Sequence, residues 1–110
     1  MKFKLGVQPD KTTSEIWFAM GFVEVACLTL LGRELIVTSL QDGKHGTNSL
    51  HYSGKALDVR TRGLTQDECL LVSSYLKTYL APLGFDIIVE VDHIHIEYDP
   101  KGRIFYRWTD

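Results

Sequence analysis

Apolar positions along residues 14–31 recur at helical spacing: Ile16, Met20, Val23, Cys27 and Leu30 fall on one face. They predict a helix there, opened by a cap from Thr12, Thr13 or Ser14 and ended by Gly32. Trp17, Phe18, Phe22 and Val25 extend the apolar surface almost all round, which predicts a helix deeply buried or covered on two sides. A second helix is predicted over 64–80. Thr65 and Glu68 have capping-box spacing, Leu70, Leu71, Tyr75, Leu76 and Tyr79 supply an apolar side, and Pro82 and Gly84 close it. Strand patterning falls on 2–7, 35–38, 55–60, 85–91 and 93–98, with a further strand over 104–108. In 55–60, Ala56 and Asp58 share one face and Leu57 and Val59 the other. The last two main strands form a hairpin turning near Val91-Asp92, and 99–102 reads as a turn. The order β, α, β, β, α, β, β predicts an α+β domain, a small antiparallel sheet packed against two main helices.

Composition narrows the class. A length of 110 residues predicts one domain spanning 1–110, and 45% hydrophobic residues suffice for a core without staples. A net charge of -2, with no basic stripe, argues against nucleic acid. Cys27 and Cys69 form no CxxC pair and read as buried free thiols, as suits synthesis in a reducing cytoplasm. The first residues have no apolar signal core. Glu24 interrupts the long apolar helix at a cost of about 2.5–3.5 kcal/mol in a bilayer, so the expectation is a core helix and no membrane insertion.

Two segments carry the candidate chemistry. The first is Ser49-x-His51-x-x-Gly54-x-Ala56-x-Asp58. The second is Asp92-His93-Ile94-His95-Ile96-Glu97. Asp58 stands in an apolar strand, where an unpaired charge is costly and a metal or cation would offset it. His93 and His95 project from one face of a strand while Ile94 and Ile96 face the core, which is also ordinary amphipathic patterning. Imidazoles, a carboxylate ligand and a spare carboxylate are what a catalytic zinc centre needs: three ligands, an open position and a base. The polar, glycine-rich stretch 41–48 precedes the first segment and reads as a pocket-lining loop.

The two motifs together resemble the zinc D-alanyl-D-alanine carboxypeptidase family, which takes in vancomycin-resistance carboxypeptidases, phage L-alanyl-D-glutamate endolysins and, more distantly, the hedgehog signalling domain. The resemblance spans about residues 37–98. It implies a hedgehog/DD-peptidase-like fold, with Zn2+ held by His51, Asp58 and His95. It implies Asp92 as general base and His93 as a helper near the oxyanion, and Ser49 could orient a ligand. The implied reaction is hydrolysis of a peptide bond in the peptidoglycan stem peptide. It would be D-Ala-D-Ala carboxypeptidase action, or L-Ala-D-Glu or cross-link endopeptidase action by a phage-type lysin released to the cell wall. Some members use Glu-x-x-His, and Glu90-x-x-His93 has that spacing, so His93 with Glu90 stands as the alternative ligand and base. Choosing Asp92 with His95 requires a turn or bulge at Asp92, because strict alternation would put them on opposite faces.

One feature departs from the family. The stretch Thr38-Ser39-Leu40-Gln41-Asp42 lacks the Arg that family carboxypeptidases use to grip a terminal carboxylate; Lys44, Arg60 and Arg62 are the nearest substitutes, and endopeptidase action stays open. Two other readings use the same residues. One is the 2-His-1-carboxylate triad of iron(II) oxygenases, which needs more strands than this chain offers. The other is a non-catalytic binding module stabilised by zinc, with His45 as a closing fourth ligand.

Overall fold

A computed structural model describes residues 1–40 and 54–100. The elements are β1 (Lys2–Phe3), α1 (Ser14–Leu31), β2 (Ile36–Ser39), β3 (Ala56–Arg60), α2 (Gln66–Leu80), a single 3-10 turn (Ala81–Leu83), β4 (Phe85–Val89) and β5 (His93–Tyr98). Ser49, His51, the 41–48 loop, Lys44, His45 and the expected strand over 104–108 lie outside the described residues.

The five strands form one sheet in the order β1-β2-β3-β5-β4. The expectation of an α+β domain with two main helices holds. The purely antiparallel sheet is corrected to a mixed one, because β1 pairs parallel with β2. A parallel neighbour needs a crossover connection, and α1 is that crossover. The other pairs are antiparallel. Leu57 and Val59 of β3 and Ile94 and Ile96 of β5 join Ile16, Met20 and Val23 of α1 and Val72, Leu76 and Leu80 of α2 in one core. The opposite face of the sheet is left to Asp58, His93, His95 and Glu97, since side chains alternate along a strand.

Thr13 takes the N-cap position of α1, but the expected side-chain cap is absent, because its hydroxyl donates to the Gly54 carbonyl instead; the other ends follow their local chemistry. Gly32 caps α1 in the left-handed conformation at φ 65°, its N–H donating to the carbonyls of Cys27 and Leu28. Thr65 and Glu68 close the capping box of α2 in both directions, at 3.1 and 2.8 Å. Thr65→Ala should therefore cost about 1 kcal/mol, read as a lower urea midpoint with an unchanged slope.

The burial of α1 corrects another expectation. Only one face enters the core, through Ile16, Ala19, Met20, Val23 and Ala26. Trp17, Phe18, Val25 and Leu28 remain exposed. By length and composition Ser14–Leu31 would also pass for a membrane span, although those core contacts are what a sheet-packing helix makes. Glu24, mid-helix, is ion-paired to the Met1 amino group. The two cysteines are free and half-buried rather than fully buried.

Candidate functional site

The site begins with strand register. Asp58 of β3 stands directly opposite His95 of β5, and Arg60 opposite His93. Asp58 is 8% exposed, an enclosed position for a carboxylate. The β4–β5 hairpin turns through Val91 and Asp92, where the Glu90 N–H donates to the His93 carbonyl at 2.8 Å. The Thr61 N–H donates to the Asp92 carbonyl at 3.2 Å and holds this turn against the end of β3. The turn that Asp92 needs to join the histidine face is therefore present.

Each histidine is held at one ring nitrogen by a carboxylate and turns the other toward the same oxygen of Asp58. For His95, Nε2 donates to Glu97 Oε1 at 2.8 Å and Nδ1 to Asp58 Oδ1 at 2.9 Å. For His93, Nδ1 donates to Asp92 Oδ1 at 2.6 Å, while Nε2 lies 3.7 Å from Asp58 Oδ1 and 3.9 Å from Glu90 Oε1. A carboxylate oxygen accepts, so making both contacts at once takes an N–H at each nitrogen of the His95 ring, which favours its charged form. Burial opposes its charge, but the hydrogen bonds to Asp58 and Glu97 outweigh burial and raise its pKa. The hydrogen bond from His93 holds the Asp92 carboxyl below the usual range.

The donor set suits zinc, which takes imidazole nitrogen and carboxylate oxygen at about 2.0–2.2 Å. Ligand atoms around a tetrahedral ion stand roughly 3.4 Å apart by that geometry, between the 2.9 and 3.7 Å separations of the two histidines from Asp58. A carboxylate on the far nitrogen of a ligand imidazole is the usual supporting partner, and here Glu97 and Asp92 each take that position. Asp58, His93 and His95 do not by themselves close into a three-ligand cluster among the described residues. Such a centre takes one of the two histidines and needs a further ligand.

A cleft of about 320 Å³ opens over this face, bordered by Asp58, Asp92, His93, Lys4, Arg60 and Arg62. His95 does not border it. Both arginines proposed to replace the missing carboxylate grip thus stand at the cleft.

One group was not anticipated from the sequence. Asp86, Glu97 and Asp99 bring carboxylate oxygens within 4.8 Å of one another. Asp86 and Glu97 are register partners on β4 and β5, and Asp99 follows β5 with its N–H on the Gly84 carbonyl. Only the hairpin register brings these residues together. No protein-family model matches the chain, and no curated protein matches it.

Proposed function

We propose that this chain is a zinc-dependent peptidase acting on the peptidoglycan stem peptide, as a carboxypeptidase or an endopeptidase. One observation carries the reading: two imidazoles, each backed by its own carboxylate, converge on one oxygen of the enclosed Asp58.

Asp58 and His95 would hold the ion together with His51. Zinc, when bound, supplies Lewis acidity that brings deprotonation of water near pH 7 and polarises the scissile carbonyl. Asp92 accepts the proton of the attacking water and returns it to the leaving amine. Its lowered pKa keeps it ionised and able to accept. His93 donates to the developing oxyanion. Glu97 fixes the His95 ring. Arg60 and Arg62 put positive charge beside the cleft, as an anionic stem peptide requires.

A second assignment at the same centre is favoured by the cleft itself. His93 borders it and His95 does not. His93 would then be the ligand, Asp92 its supporting carboxylate and Glu90 the base, with Glu90 Oε1 at 3.9 Å. The chemistry is unchanged.

Digestion of purified peptidoglycan by zinc-loaded protein, with fragments read by mass spectrometry, tests the function. Cleavage at D-Ala-D-Ala, L-Ala-D-Glu or a cross-link is expected, and it should be lost in Asp58→Ala and in His51→Ala. Absence of cleavage by protein that holds one zinc would replace the peptidase reading with a zinc-stabilised binding module.

A further inference from the structure

A second cavity, of about 340 Å³, lies between the end of α1, the start of β2, the end of β3 and α2. Its size is within the usual range for small-molecule sites. Cys27, Leu31, Leu35, Val59, Val72 and Ile94 form an apolar wall. Lys2, Glu34, Arg33, Arg60 and Arg62 are its charged border.

The charge at this border is one-sided. Glu34 is already engaged by the Met1 amino group at 2.8 Å and approached by Lys2 at 3.8 Å. Three arginines also border the cavity, of which Arg33 is ion-paired with Glu68. Arg33 reaches from the end of α1 toward the β3–α2 connection, its Nη1 3.7 Å from where a Cβ on Gly63 would lie. Its nearest acidic neighbour, Glu68, is at 3.9 Å. No ion pair is found for Arg60 or Arg62 among the described residues. Arg60 and Arg62 border both this cavity and the cleft over the histidine face, so the two openings share a positive rim that Arg33 extends on this side.

We propose that this cavity binds a small amphiphilic monocarboxylate, its apolar part against Leu31, Leu35, Val72 and Ile94 and its carboxylate among Arg33, Arg60 and Arg62. Guanidinium is the side chain best matched to a carboxylate, which it can meet with two parallel hydrogen bonds. The volume holds roughly ten groups of water size at about 30 Å³ each, so a medium-chain acid or a single apolar residue with a free C-terminus fits. An ammonium head in the same place would meet like charge. The inference does not rest on the zinc centre and needs no metal.

Cys27 provides a local readout, because it lines the cavity and Cys69 does not. The full chain is alkylated with N-ethylmaleimide, and each cysteine is followed by mass spectrometry. Octanoate and N-acetyl-leucine are the two acids; octylammonium and octan-1-ol are the controls. A carboxylate at ten times its Kd should slow Cys27 by about tenfold through mass action and leave Cys69 unchanged. Whichever acid protects better shows whether the cavity takes a chain or a peptide terminus. Arg60→Gln combined with Arg62→Gln, or Arg33→Gln alone should the pair fail to fold, is expected to weaken protection by about tenfold or more. Equal protection by octylammonium or octan-1-ol, full protection in a folded arginine variant, or no protection by either acid would each overturn the proposal.

Discussion

Gly54→Ala should destabilise the protein by about 3–5 kcal/mol, a large share of the 5–15 kcal/mol typical of a domain. Gly54 has a φ of +73°, and a Cβ there would lie 1.9 Å from the Lys11 carbonyl oxygen and 2.8 Å from the Lys11 carbonyl carbon. Both are backbone atoms, so no rotamer change relieves the contact. The close approach exists because the chain entering α1 docks on the chain entering β3. The backbone N–H and the hydroxyl of Thr13 both donate to the Gly54 carbonyl, each at 3.0 Å. Separating the two strips would break both bonds. Gly21→Ala is the natural comparison. It sits inside α1 with nothing within 4 Å of a new Cβ, so it should stabilise by about 0.5–1 kcal/mol. Urea unfolding of the two variants should therefore shift in opposite directions. A Gly54→Ala midpoint equal to that of the unmodified protein would show that the docked arrangement does not form. Gly54 lies inside the His51-to-Asp58 motif, so the same change should also weaken zinc binding.

That docking illustrates what was and was not legible in the sequence. A glycine in the first motif reads as a turn; that it is also a contact with residues 11–13 depends on tertiary approach. The C-terminal limit of α1 was readable because a glycine after a long apolar helix suits the left-handed cap that Gly32 adopts. Which side of α1 would be covered was not, because a helix apolar all round carries no direction in its pattern. The expected strand over 2–7 shrinks to Lys2–Phe3, since the Val7 N–H folds back onto the Lys4 carbonyl and Gly6 takes φ 93°. Alternation in His93–Tyr98 placed both histidines on one face correctly. For the same reason it could not rank them. The partners Asp92 and Glu97 are one and two residues away and follow from spacing; that both rings also face Asp58 is set by the pairing of β3 with β5.

The ranking is open to a paired experiment with a large expected effect. His95→Ala should lower zinc affinity by more than about 100-fold, since loss of a merely supporting partner already costs 10–100-fold. Asp92→Asn should lower kcat by about 100- to 10,000-fold and leave one zinc bound, as loss of a general base does. His93→Ala should retain the metal and lose activity, through the missing oxyanion donor and through the lost hydrogen bond to Asp92. These three results together fit Asp58 and His95 as ligands. The opposite pattern has an equally definite meaning. If His93→Ala releases the ion, Glu90→Gln abolishes turnover and His95→Ala keeps the metal, the ligand is His93. Asp92 is then the carboxylate that orients it through the 2.6 Å hydrogen bond. Asp58 distinguishes neither case, because its Oδ1 faces both rings, and Asp58→Asn should release the ion in either. Zinc retained in Asp58→Asn would remove the centre from this face of the sheet altogether.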